Sequence, residues 1–211
     1  MKKLLFLFIL FPIFGYSQKS DTTYYDNTED QGSFPFSFAI PALTYSKIAD
    51  KNTLSVGGSV NIYINKHWYV GIFGEIMALG QNKTIKIDTI LYENLKLNYG
   101  YLGPMVGYIF FPDKKVSIYT SLRYGIGSVS LSSDKSGTTD NFSVTTVKVL
   151  SDNSTIFIPN VDFIYNVLPS LKLSASVGYK CNFGINNIAY TNKSFNSPYI
   201  SLSLLFGIFP E

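Results

Sequence analysis

The chain has 211 residues, 46% of them hydrophobic and 16% aromatic but only 15% charged, with a net charge of +3. That length allows one domain and little else, and the weak charge gives no electrostatic reason to expect a nucleic-acid partner. The single cysteine, Cys181, excludes an intramolecular disulfide and a cysteine-based zinc cluster.

The first residues read as a secretory signal peptide over residues 1–17. Lys2 and Lys3 form a basic start, Leu4 to Phe14 an apolar run, and Gly15-Tyr16-Ser17 a small-residue cleavage site before Gln18. The apolar run is too short to span about 30 Å of hydrocarbon. Cleavage removes two lysines and no acid, taking the net charge from +3 to +1. Cys181 lies far from that site, so no lipid anchor is expected. Residues 18–33 are polar, with Asp21, Asp26, Glu29 and Asp30, and form a periplasmic leader. After it no stretch offers about 18 consecutive apolar residues, so a membrane location requires strands.

Residues 34–209 carry strand periodicity. Phe34, Phe36, Phe38 and Ile40 share one face. The clearest unit runs from Leu54 to Gly80: Leu54, Val56, Val60, Ile62 and Ile64 alternate with Ser55, Gly57, Ser59 and Asn61. A turn at Asn65-Lys66-His67 follows, then a second alternating arm. Leu97 to Phe111 is a strand whose facing stays open, because Leu102, Met105 and Val106 fit different registers. Val116–Val129, Thr155–Val167, Leu171–Cys181 and a last strand through Ile200, Leu202, Leu204, Phe206 and Ile208 complete eight. The connections alternate as long (46–53), short (65–67), long (81–96), short (112–115), long (130–154), short (168–170) and long (182–197). An even strand count with short turns on one rim and long loops on the other is the layout of outer-membrane barrels. The fold class is therefore all-β, an eight-stranded antiparallel up-and-down transmembrane β-barrel.

Alternation alone leaves open whether the apolar face points inward, as in a soluble lipocalin-like barrel, or toward lipid. The polar face decides. A water-washed exterior carries roughly a quarter to a third charged residues, whereas this face is mostly Ser, Gly and Asn, which suit the narrow interior of an eight-stranded barrel. Aromatics gather near both rims: Trp68, Tyr69, Tyr108, Phe110, Phe111, Tyr165 and Phe209 near the short turns, and Tyr45, Tyr99, Tyr101, Tyr124, Tyr179 and Tyr199 toward the long loops. Two such bands read as interfacial girdles. The apolar face meets lipid.

With the signal peptide, the strand count, the loop alternation and the final Leu205-Phe206-Gly207-Ile208-Phe209, residues 34–209 resemble the OmpA/OmpX-like outer-membrane barrel family. The resemblance implies an outer-membrane location with outer-membrane lipid around the barrel. It also implies a C-terminal aromatic signal, Phe206 and Phe209, read by the barrel-assembly machinery, although Pro210 and Glu211 follow it. Its implications for function are architectural: a porin-like or structural barrel, with no cofactor.

Four charged residues, Glu75, Arg123, Asp162 and Lys180, fall on faces assigned to the lumen. Ionised groups in so narrow a space must be paired or wetted, so a salt-bridge network centred on Arg123 is expected. It serves either as a register-fixing plug or as a gate for ions or water. Catalysis has little to stand on: the one histidine, His67, sits in a turn beside Lys66 and Trp68, and no metal-ligand spacing appears. The long loops are the better functional candidates. Thr84–Ile90 and Phe142–Leu150 are β-prone and could rise as ribbons with edges open to a partner. The sequence reading is a non-enzymatic, monomeric surface-interaction barrel. A narrow gated channel is the alternative, with an outer-membrane lipid enzyme behind it.

Overall fold

The computed structural model describes residues 35–87, 90–135 and 145–210. The expected signal peptide, the leader and the first part of the Phe142–Leu150 segment lie outside them. Nine strands form: β1 (Phe36–Ile48), β2 (Lys51–Tyr63), β3 (Trp68–Met77), β4 (Gln81–Ile87), β5 (Ile90–Phe110), β6 (Val116–Lys135), β7 (Thr145–Leu168), β8 (Leu171–Phe183) and β9 (Ser197–Ile208). Every pairing is antiparallel, and the sheet closes on itself because β3 pairs β5 as well as β2. Eight strands make the barrel. The ninth, β4, continues the direction of β3 beyond it and pairs with the first half of β5.

The two faces separate as the alternation predicts. Ile72, Ile76, Leu102, Leu122, Ile126 and Leu202 point outward, each at least half exposed, while Ser37, Ser55, Asn61, Ser121, Ser174 and Ser176 are buried inside. A sheet whose apolar side chains face out and whose polar ones face in is stable only with hydrocarbon around it. The facing of β5 is now fixed: Leu97, Tyr99, Tyr101, Met105 and Ile109 are inside and Leu102, Val106 and Phe110 outside. Both faces are apolar, which is why no register stood out in the sequence.

The long connections are largely not loops. Residues 46–53, expected as a polar loop, are strand ends around a two-residue turn, with Ala49 at φ 50° and Asp50 at φ 65°. Positive φ at both central positions is the hairpin geometry whose twist matches its strands. Ser46 and Thr53 point inward, while Lys47, Asp50, Lys51 and Asn52 are exposed at the rim. Residues 81–87 and 90–96 pair as β4 and the start of β5, and 130–135 with 145–154 continue the β6–β7 ladder above the barrel, out to Lys135 opposite Thr145.

Inside the barrel, large rings sit across from glycines. Tyr69 pairs with Gly107 and Tyr199 with Gly178. A Cβ on Gly107 would stand 2.2 Å from the Tyr69 ring, and one on Gly178 would stand 2.6 Å from the Tyr199 ring. Each glycine leaves the space its facing ring occupies.

Candidate functional site

The lumen holds all four expected charges, brought in from four strands. They form two pairs rather than one network centred on Arg123. Lys180 Nζ lies 2.5 Å from Glu75 Oε1 and 3.3 Å from Ser46 Oγ, and Lys180 is fully buried. Arg123 Nη2 lies 3.8 Å from Asp162 Oδ2, its Nε donates to Ser121 Oγ at 3.3 Å, and the guanidinium stands over the Phe73 ring. Counting residues up from the turns sets Glu75 level with Arg123. Barrel strands are tilted and staggered, and the ladder instead sets Glu75 beside Tyr101 and Arg123 beside Met105.

Asp162 is held from three sides. Asn160 Nδ2 donates to its Oδ2 at 2.7 Å, Ser176 Oγ donates to its Oδ1, and Arg123 supplies the charge. Tyr199 locks Asn160 in turn, its hydroxyl donating to Asn160 Oδ1 at 2.5 Å. A carboxylate so enclosed replaces lost hydration with fixed donors.

Between the two pairs lies a cavity of about 50 Å³, lined among others by Thr44, Glu75, Tyr101, Arg123, Asp162 and Tyr199. At roughly 15 Å³ of such volume per water, it has room for about three waters. It does not have the bore of an open pore.

Both ends of the lumen are stoppered by rings. At the short-turn rim, Tyr63 packs 6.0 Å from Tyr69 and 5.8 Å from Phe209, and Lys172 Nζ sits 3.9 Å over Phe209 and 3.4 Å from the Tyr119 hydroxyl. Tyr69 is 3% exposed. Tyr69 and Phe209, expected in the interfacial girdle, are therefore floor residues, because each is one step out of phase with its lipid-facing neighbours Trp68 and Ile208. Of the upper band, Tyr99, Tyr101 and Tyr199 likewise point inward, while Tyr45, Tyr124 and Tyr179 face out. Of the band expected at this rim, Trp68, Tyr108, Phe110 and Tyr165 face outward. Trp68 meets Tyr108 edge-on at 5.0 Å and Tyr108 meets Phe110 at 4.8 Å. His67 stacks on Tyr108 at 5.4 Å and its Nδ1–H donates to the Ile109 carbonyl at 2.9 Å. Phe206, the other half of the expected C-terminal signal, pairs with Phe38 on the lipid side.

The opposite rim carries a structure that the sequence reading missed. Residues 184–196, with a 3₁₀ turn at Asn192–Ser194, fold over the mouth. Phe195 and Ile185 are buried with Ile48, Leu95, Leu97 and Leu131 in one apolar core above the charges, and Phe195 stacks on Tyr99 at 5.0 Å. Asparagines order this cap. Asn182 Nδ2 donates to the Phe195 carbonyl at 2.9 Å, Asn192 Oδ1 accepts from the Ile185 N–H, and Asn187 Oδ1 accepts from the N–H groups of Ala189 and Tyr190. The cap also joins both flanks of the raised sheet: Asn187 Nδ2 donates to Asp152 Oδ2 on β7, and Lys83 on β4 donates to the Ala189 carbonyl while covering the Tyr190 ring. Burial there lowers the Lys83 ammonium below its ordinary range, with Asp50 opposing the shift, and raises the Tyr190 hydroxyl. One signal was available: Leu95, Leu97, Tyr99 and Tyr101 make a continuous period-two stripe that runs past the barrel's height.

No family model and no curated protein sequence matches the chain. Among solved structures, Neisserial surface protein A aligns at 16% identity over 83% of this chain and 97% of its own, with a TM-score of 0.51. Ail of Yersinia pestis, solved with the heparin analogue sucrose octasulfate, aligns at 16% over 82% and 97%, with a TM-score of 0.47. The N-terminal β-barrel domain of Pseudomonas aeruginosa OprF aligns at 11% over 84% and 100%, with a TM-score of 0.44. The fold is that of the small outer-membrane β-barrels. At these identities the likeness extends to architecture alone. Among the described residues, no group of three His, Cys, Asp or Glu side chains is arranged to hold a metal ion.

Proposed function

We propose that this chain is a non-enzymatic outer-membrane barrel that acts through the folded head on its ribbon rim, displayed at the cell surface. The observation that carries the reading is the contrast between the two ends of the molecule. The lumen is filled by rings, ion pairs and a cavity of about 50 Å³. The head buries Phe195, Ile185, Ile48 and Leu95 in apolar packing continuous with the lumenal rings, and lifts a sheet with polar, exposed Asn82, Thr84, Glu93, Lys96 and Asn98 clear of the barrel. Surface loops held by a rigid scaffold are where binding concentrates, and a preformed head pays little ordering entropy on contact. The short-turn rim, to which both ends of the barrel segment return, is the periplasmic side.

A narrow gated channel is the second reading, favoured by the three charged side chains, Glu75, Arg123 and Asp162, that line the cavity. Planar-bilayer recording and surface shaving separate the two. Purified protein is expected to show no steady conductance, and protease added to intact cells is expected to abolish retention on a target surface while leaving the barrel in the membrane. A steady ohmic conductance, with retention unchanged by shaving, would move the function into the lumen.

A further inference from the structure

The strand β4 presents an edge without a ladder partner. Gln81–Ile87 pairs with β5 on one side. Among the described strands nothing pairs with it on the other, because the β2–β3 ladder ends at Ser55 opposite Met77. The two bulge-like irregularities of the raised sheet fall elsewhere: the β4–β5 shift is accommodated on β5, where Asn94 has φ 56°, and the β6–β7 shift lies beside Leu131. The β4 edge is thus regular and extended over seven residues. Exposed edges of this kind recruit another strand unless something blunts them.

Direction selects the partner. Within one membrane, two copies of β4 run the same way, and a parallel pair cannot be related by a two-fold axis, because its slanted bonds are not equivalent from the two strands. Copies in two facing membranes run oppositely, and an antiparallel pair accepts a two-fold axis between a residue and its own copy.

Sequence selects the register. The pairing that uses all seven residues is centred on Thr84. It sets Thr84 against Thr84 of the second copy, Lys83 against Ile85, Asn82 against Lys86 and Gln81 against Ile87. Registers centred on Lys83 or Lys86 would bring like charges face to face, which destabilises a cross-strand pair. The register of longest overlap also sets no like charges directly opposite one another. We infer that β4 is a self-complementary strand edge, and that its occupant is β4 of a second copy on an opposing membrane, so that the protein joins surfaces that both carry it. One seven-residue pairing is weak, and many pairings across two apposed membranes act together. The inference rests on the head lying outside the membrane, as proposed above.

The test uses full-length protein in two populations of phosphatidylcholine vesicles bearing different dyes. Insertion and orientation are checked first, by heat-dependent gel mobility and by external labelling of Lys96. Failure at that step would refute the head-outward reading rather than the pairing. With insertion established, wild-type vesicles are expected to cluster with one another and not with protein-free vesicles. Thr84 is exposed, so its substitution leaves the fold intact. Thr84→Lys vesicles and Thr84→Asp vesicles are each expected to stay dispersed, and a mixture of the two to cluster across colours, because lysine then faces aspartate. Wild-type vesicles that stay dispersed would overturn the inference, as would clustering of the Thr84→Lys population alone at the wild-type level, or a mixture no more clustered than either variant.

Discussion

Glu75→Ala is expected to destabilise the barrel by about 3–5 kcal/mol, the range for breaking a buried ion pair from one side. Lys180 is fully buried, Glu75 lies 2.5 Å away, and the ammonium's other hydrogen bond is to the Ser46 hydroxyl at 3.3 Å, with the Tyr101 and Tyr199 rings 5.6 and 5.5 Å away. Removing the carboxylate leaves a charge in a lumen with little water to receive it. The double variant Glu75→Gln with Lys180→Met removes both charges and is expected to recover most of the loss, since a buried pair replaced by packed neutral side chains is often neutral. Arg123→Ala is expected to cost less, because its contact with Asp162 is 3.8 Å and Asn160 and Ser176 continue to hold that carboxylate. Urea unfolding in lipid vesicles reads all four proteins. A Glu75→Ala loss within about 0.5 kcal/mol, the range of ordinary surface substitutions, would mean that the pair does not form.

Phe195→Ala is expected to cost the head about 3–5 kcal/mol, as for other buried aromatic truncations. The ring is fully buried and touches Tyr99 and Tyr190 at centroid distances of 5.0 and 5.5 Å. The loss should be local. The cap of residues 184–196 loosens, exposed Lys193 becomes a trypsin site, and the barrel below keeps its resistance to SDS. Conductance is expected to stay absent, because Tyr63, Tyr69, Lys172 and Phe209 still close the floor. Limited proteolysis followed by a gel without boiling measures both parts at once. Unchanged resistance at Lys193 would show that Phe195 does not hold the cap.

The barrel was legible because its two faces differ in composition. On β2 and β8 each outward Val, Ile or Leu alternates with Ser, Gly, Asn or Lys, and phase alone fixes the side. Where the lumen is itself apolar that contrast disappears. On β5 Leu97, Tyr99, Tyr101 and Met105 point inward and Leu102 and Val106 outward, so composition does not distinguish the faces. Tyr69 and Phe209 went astray for a related reason: closeness to a rim in sequence does not tell a lipid-facing ring from a plug, and only phase against Trp68 and Ile208 does. The lumenal location of Glu75, Arg123, Asp162 and Lys180 follows from phase. Their partners depend on the stagger between strands that are distant in the chain, which no local pattern records. The head was hidden most completely. Its asparagines read as loop because Asn favours turns, yet here their side chains cap backbone N–H and C=O groups over a buried phenylalanine.

The central claim is that these strands close around a lumen while their apolar faces meet hydrocarbon. Its most direct measurement is the gel mobility of the protein from isolated outer membranes, boiled against unboiled in mild SDS. A closed barrel resists SDS until heated, so two bands are predicted, the faster one disappearing on boiling. A single band, recovered from the soluble periplasmic fraction, would contradict the account and turn the apolar face inward.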